Sequence, residues 1–200
     1  TDRLAPKAYF KGLNLLLNEQ PDKAIDAFIE AVQADPDTSE LHFALGNLFR
    51  RRGEYQRAVR VHEHLLSRGD LSRAERHRAQ HALALDFLKA GLLDRAEEAL
   101  RKLEGTAFEG QALLALLAIY ERSRDWAQAS EIARKLEASG HGNFSGRLAH
   151  YLCEQAAGAP PEHAEKLLRD AMKVDPGAAR PGIDLAALQR RAGNAEAAFD

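Results

Sequence analysis

The sequence predicts an all-α fold, a solenoid of helix–turn–helix units stacked along the chain. Three observations carry that prediction. An alanine that follows a turn recurs at Ala24, Ala58, Ala96, Ala129, Ala164 and Ala198, with spacings of 34, 38, 33, 35 and 34 residues, and self-similarity at such a period marks an array of stacked supersecondary units. Helix-stopping residues fall between the apolar stretches. Gly53 and Gly91 sit where a left-handed residue ends a first helix cheaply, and Pro36 and Pro176 sit where the hydrogen-bond ladder of a second helix stops. Finally, no period-two alternation of useful length competes with the helical reading.

The units run near residues 5–38, 39–72, 77–109, 110–143, 145–178 and 179–200, the last of them incomplete. Small residues such as Gly46, Ala58 and Ala84 belong where the two helices of a unit cross closely, and Phe49, Phe87 and Tyr120 fill the spaces between units. Asp22, Asp94 and Asp125 precede second helices, where a carboxylate caps free N–H groups. The spacing of 38 puts extra residues into 68–76, as a longer turn or an extended first helix. The fourth unit has Arg124-Asp125-Trp126 where others have an inner glycine. The fifth has Gly158-Ala159-Pro160-Pro161, a stiff turn with proline opening the next helix. Residues 141–146 read as a flexible, glycine-bearing connection.

Composition narrows the function classes. Lys+Arg 28 against Asp+Glu 30 leaves a net charge of −2, without the basic excess of a dedicated nucleic-acid binder. Cys153 is the single cysteine, which leaves no internal disulfide and no cysteine-based zinc knuckle; it reads as a small buried hydrophobe. The longest nearly unbroken apolar run, Ala112–Ile119, is far short of the ~20 residues that span a bilayer, so no direct membrane contact is expected of this stretch. The chain opens on Thr1 and stops within what reads as a helix opening, Ala195–Phe199, and the expectation is a fragment of a longer protein. His77 and His81 stand four apart on one helix face, but no third ligand accompanies them and no metal is expected. His62 and His64 point away from each other. No glycine-rich phosphate loop and no nucleophile motif appears, and the chain reads as no enzyme.

The pattern resembles the tetratricopeptide repeat. Leu45-Gly46, Phe49, Gly53, Tyr55 and Ala58 in the second unit fall on its small and large positions, as do Leu83-Ala84, Phe87, Gly91, Leu93, Ala96 and Leu100 in the third. Phe28, Ala31 and Pro36, then Leu168, Ala171 and Pro176, extend the match. The resemblance implies a right-handed α-solenoid of about five and a half repeats, with first helices lining a concave groove. Mapped onto the repeat, Tyr9, Phe10, Phe43, Asn47, Arg50, Arg51, Arg78, His81 and Lys89 face that groove and are the expected partner-binding residues. Residues 50–78 hold nine arginines (50, 51, 52, 57, 60, 68, 73, 76, 78) and four acids (54, 63, 70, 75), a local +5 without a lysine. Arginine favours bidentate contacts to carboxylates, so charge reversal of Arg50 and Arg51 should weaken partner capture and leave the helices intact. The two-carboxylate clamp known in this family needs further polar groups, and Asn47 alone matches it well.

More specific stretches resemble the bacterial lipopolysaccharide-assembly family of repeat adaptors: residues 8–18, Leu45–Glu54 with Arg57–Arg60 and His62, Leu85-Asp86-Phe87 with Ala90–Glu97, and His150–Glu154. That resemblance implies a non-enzymatic adaptor on the cytoplasmic side of the bacterial inner membrane. It presents the lipid A deacetylase to a membrane-bound ATP-dependent protease, and an N-terminal membrane helix tethers it. An iron or zinc rubredoxin-type site would lie outside this stretch; no cofactor is expected within it. A generic repeat scaffold with another partner, and the interaction region of an enzyme whose catalytic domain lies elsewhere, are the competing readings.

Overall fold

The computed structural model describes residues 7, 8, 11, 12, 14, 15, 20–34 and 39–193, and the regular elements among them are all α-helices. They are α1 (Pro21–Ala34), α2 (Ser39–Arg51), α3 (Tyr55–Ser67), α4 (Arg73–Ala90), α5 (Leu93–Arg101), α6 (Glu109–Ser123), α7 (Trp126–Ala138), α8 (Ser145–Ala157), α9 (Pro161–Val174) and α10 (Ala179–Arg191). Two compact units share them, residues 1–112 and 113–200, with the division inside α6. The all-α solenoid class expected from the sequence is what these helices form, each packed on its neighbours in sequence within a unit.

In the first unit, α1 packs on α2, α2 on α3, α3 on α4 and α4 on α5. The apolar residues recur at helical spacing: Leu41, Leu45, Leu48 and Phe49 on α2, and Ala58, His62 and Leu65 on α3, are all buried, which gives each helix a core-facing stripe. One cluster joins Ala24, Phe28, Leu45, Leu48, Phe49 and Ala58; a second joins Phe43, Leu65 and Ala79. Each large side chain withdrawn in this way contributes about 1.5–3 kcal/mol of apolar burial. The repeated alanines behave alike, for Ala24, Ala58, Ala96 and Ala129 are fully buried and Ala164 nearly so. Ala198 lies outside the described residues, as does Pro36. Gly46 has a specific reason: a Cβ there would collide with the His62 ring.

The extra residues of the longer spacing extend a helix. α4 runs to 18 residues against 13 for α2, and its start is fixed by a capping box in which Ser72 and Glu75 satisfy each other's backbone N–H groups, so two of the orphan donors at that end are paired. In the second unit, α8 packs on α7, α9 on α8, and α10 on both α8 and α9. Leu148, Leu152, Cys153, Ala156, Ala164, Leu168 and Ala171 form the core between α8 and α9.

Turns account for the remaining details. Gly53 (φ +78°) and Gly91 (φ +74°) adopt the left-handed conformation their positions require. Arg124 takes the same conformation at φ +59°, at a steric cost of roughly 1–2 kcal/mol that a glycine would not bear. Asp125 caps α7 by accepting from the Gln128 N–H at 3.1 Å. Asp94 departs from its expected capping role: the N-cap of α5 is Leu92 and Asp94 sits in the first turn, where a negative charge still complements the helix dipole. Asp22 likewise falls inside α1. Residues 141–146 are not a free connection. α8 already begins at Ser145, and Glu137 pins the segment by accepting from the Phe144 N–H at 2.7 Å and the Ser145 hydroxyl at 3.2 Å.

Candidate functional site

Helices α2 and α4, the first helices of the second and third repeats, place Asn47, Arg50, Ala82 and Asp86 together in the first unit. Arg50 donates to Asp86 Oδ1 at 2.7 Å and to the Ala82 carbonyl at 3.1 Å through one nitrogen, and to Asn47 Oδ1 at 2.5 Å through another. Its side chain is 17% exposed, while that of Asp86 is fully buried. The second oxygen of Asp86 meets His62 Nδ1 of α3 at 2.5 Å. His62 is itself fully buried, and its Nε2 has no hydrogen-bond partner. Asp86 thus holds the Nδ1 side of the ring, while the Nε2 side faces no polar partner. The network therefore ties three helices around one carboxylate, with Arg50 as its outer member.

Several predicted groove residues have other duties. Phe43 is 1% exposed and belongs to the core, a correction to its assignment as a groove contact. Its position on α2 faces Leu65 and Ala79, so it is not free to meet a partner. The guanidinium of Arg78 lies over its ring at 3.9 Å and pairs with Glu40. Folding brings acids from outside this stretch to two of these arginines, Asp86 to Arg50 and Glu40 to Arg78, while Arg52 and Arg57 pair with Glu54, Arg68 pairs with Asp70, and Arg76 donates to the carbonyls of Leu66 and Arg68 at the end of α3. Arg51, Arg60, Arg73 and Lys89 are exposed and carry no ion pair among the described residues. Arg51 follows Arg50 on α2, about 100° around the helix from it, so the two do not act as one patch. Charge reversal at Arg50 would set a carboxylate against buried Asp86 and break the fold, which corrects the expectation that this change leaves the helices intact. Tyr9 and Phe10 lie outside the described residues.

His81 is half-buried and stacks on Phe108, ring centroids 4.7 Å apart. Burial, and then the charge of Arg50, hold its pKa below the usual imidazole range, so it stays neutral. His77 and His81 have no companion ligand: among the described residues no cluster of His, Cys, Asp and Glu could hold a metal ion. The burial of His62 beside an exposed His64 matches the opposite directions read from their spacing.

In the second unit the corresponding face carries a different arrangement. Arg147 of α8 pairs with Glu121 of α6 at 2.6 Å and donates to the Tyr151 hydroxyl at 3.0 Å, and Tyr151 donates to Glu121. Burial and the Glu121 hydrogen bond push the Tyr151 phenol up to about 12. Burial pushes Glu121 up, but the hydrogen bonds from Arg147 and Tyr151 outweigh it and leave the carboxyl below its usual range. Trp126 stacks on Tyr151 at 5.9 Å. Arg180 of α10 pairs with Glu154 at 2.8 Å and with Asp184 at 3.2 Å. Sequence reasoning placed Asp86 and Tyr151 within the stretches that carry the resemblance but gave neither a role in the site. The signal available for Asp86 was an acid on an apolar helix face, which is rarely buried without a partner.

Helical hairpins with buried crossing alanines, a left-handed inner turn, and first helices presenting a polar face define a tetratricopeptide repeat protein. A tetratricopeptide-repeat family model matches residues 41–79, which span α2, α3 and the start of α4. The chain is 38% identical over 180 residues to lipopolysaccharide assembly protein B of Escherichia coli (strain K12), covering 88% of this chain and 46% of that protein. It is 34% identical over 192 residues to the protein of the same name from Haemophilus influenzae, covering 90% and 48%. The chain thus spans about half the length of the curated relatives it matches. A tetratricopeptide repeat protein from Parabacteroides merdae superposes with a TM-score of 0.62 over 98% of this chain and 77% of its own, at 16% identity, a likeness of fold alone.

Proposed function

We propose that this chain is the repeat region of a non-enzymatic adaptor that regulates lipopolysaccharide synthesis by binding the lipid A deacetylase and presenting it to a membrane-bound ATP-dependent protease. One observation carries the reading: 38% identity, across 88% of the chain, to a protein named for lipopolysaccharide assembly. The fold supports a scaffold, because stacked hairpins offer extended faces for protein segments. The binding surface is the first-helix face of the repeats, with Asn47, Arg50, Arg51, Arg78, His81 and Lys89 at or beside it in the first unit. The whole protein acts on the cytoplasmic side of the inner membrane, anchored by a segment outside this one. Among the described residues no helix is long and apolar enough to cross a membrane. A rubredoxin-type iron or zinc site belongs to the remainder of the protein as well.

The test is capture of purified lipid A deacetylase, and separately of the protease, by the immobilised chain. Arg51→Glu with Lys89→Glu should weaken capture several-fold without changing helical content, since neither side chain carries an ion pair among the described residues. Glu97→Ala with Glu98→Ala is the control. These acids of α5 make exposed pairs with Arg101 and with Lys102 just beyond the helix, and such pairs contribute little. Wild-type capture by the first variant, with both partners, would move the contact away from this face; no capture by the wild type would favour a scaffold with a different partner.

A further inference from the structure

We propose that the groove between α3 and the α4–α5 turn is a separate docking surface, which takes an extended segment of a partner protein through one large apolar side chain and an acidic residue about two positions from it. It is built from a second helix and a turn rather than from successive first helices. Two adjoining cavities make the groove. One, of about 490 Å³, runs along residues 53–57, and the other, of about 230 Å³, continues along α3 to Arg60 and Glu63; Tyr55, Gln56, Ala90 and Leu92 line both.

Leu92 is the residue that the fold does not account for. It is 44% exposed and stands at the N-cap of α5, where leucine is a poor choice because it has no oxygen to accept from a first-turn N–H. Asp125 holds the same place before α7 with nearly the same backbone, φ −80° and ψ 78° against φ −84° and ψ 69°, and its side chain caps the helix. An aspartate would therefore suit α5 better. Leucine forgoes that cap and puts an apolar surface into the groove, beside Tyr55 and the nearly buried Val59.

The polar groups around it are open where a ligand needs them and engaged elsewhere. The Tyr55 hydroxyl and the Gln56 amide have no hydrogen-bond partner among the described residues, and Arg60 is exposed without an ion pair among them. Both acids of the lining are taken, Glu54 by Arg52 and Arg57, Glu63 by Arg95. Asp94, in the first turn of α5, lines neither cavity. Arg57 and Arg95 are also held over the rings of Phe49 and Phe87, at 5.6 and 4.3 Å, so two of the walls are set before a partner arrives, and that ordering is not lost on binding. The charge left unmatched is that of Arg60, and it suits a carboxylate. Gln56 can both donate to and accept from a main chain. From Gln56 to Arg60 is about one turn of α3, roughly 6 Å, a span of about two residues of extended chain. The apolar side chain then seats on Leu92 while the acid reaches Arg60.

A random heptapeptide library displayed on phage, selected in parallel on the full chain and on its Leu92→Asp variant, tests this without assuming a physiological partner. The variant should melt at a higher Tm than wild type, because the new carboxylate caps α5, so its loss of binding is not a loss of fold. Peptides enriched on wild type and lost on the variant should share a large apolar residue with Asp or Glu about two positions away. For the leading peptide, made synthetically, Arg60→Ala should weaken binding about tenfold, the scale of a charge-assisted contact. Replacing the peptide acid by Gln or Asn should weaken it as much on wild type and not at all on Arg60→Ala, which couples the two groups. Leu114→Asp, at a leucine of similar exposure in the second unit, should bind as wild type does. A lower Tm for Leu92→Asp would make the leucine structural and overturn the proposal. So would the absence of any peptide that distinguishes the two chains, or an acid whose removal weakens binding equally with and without Arg60. A peptide with no acid that binds as tightly as the leading one also overturns it, in favour of a purely apolar pocket.

Discussion

The two units solve the same problem in opposite ways. Each brings an acid on one first helix against an arginine on a neighbouring first helix, yet Asp86 in residues 1–112 is sealed and Glu121 in residues 113–200 stays a third exposed. The sealed pair recruits a buried histidine from a second helix. The open pair recruits a tyrosine hydroxyl from its own face. Burial decides what each is worth. A carboxylate out of water depends on all its partners, whereas one at the surface falls back on solvent. The repeat architecture therefore dictates where a polar pair stands but not how strongly the fold depends on it.

The widest separation between the units should appear on deleting the acids. Asp86→Ala leaves Arg50 and His62 facing an empty site and should cost about 3–5 kcal/mol; Glu121→Ala should cost about 1 kcal/mol. Urea melts of the two variants measure the difference, and equal losses would erase the distinction. Next comes the glycine that makes room for the sealed network. Alanine in mid-helix ordinarily gains about 0.5–1 kcal/mol over glycine, but Gly46→Ala drives a methyl into His62 and should lose roughly 1–3 kcal/mol. In a His62→Ala background most of that penalty should vanish, and a double-mutant cycle reads the coupling.

A smaller effect of opposite sign belongs to the second unit. Arg124→Gly removes a left-handed side-chain conformation and should raise stability by about 1 kcal/mol, visible as a higher Tm; a lower Tm would mean that the arginine side chain holds the turn. The last effect is a pH dependence that appears only in alkali. Because the Tyr151 phenol is held near 12 when folded and near the ordinary value of about 10 when unfolded, its stabilisation is complete below pH ~10 and is lost as pH rises through the folded value. Tyr151→Phe should flatten that alkaline limb in pH-dependent melts, and an unchanged limb would assign it to other groups.

Much of this was legible in the residues themselves. The recurring alanines, the glycines at positions 53 and 91, and the interior places of Phe49 and Phe87 are set by local geometry, which repeats with the sequence. The Asp86 network was not, because it joins residues 24 and 36 positions apart, and no periodic pattern says which acid will meet which base. Phe43 was misplaced for a related reason. Repeat register locates a residue to within a turn, and one turn of α2 holds both groove and core positions. Charge counted along a chain does not say which arginines fold onto acids: Arg50 and Arg78 meet Asp86 and Glu40 from outside the counted stretch, whereas Arg51, Arg60 and Arg73 stay exposed without an ion pair among the described residues.

Cys153 gives the second unit a clock of its own. It is the single thiol in the chain, it lies 1% exposed in the core of α8 and α9, and burial pushes its pKa up, which suppresses the reactive thiolate. A thiol reagent can reach it only when α8 and α9 part, so its labelling rate under native conditions times the sub-global opening of residues 113–200. No engineered probe is needed, and openings confined to the first unit leave no mark on it.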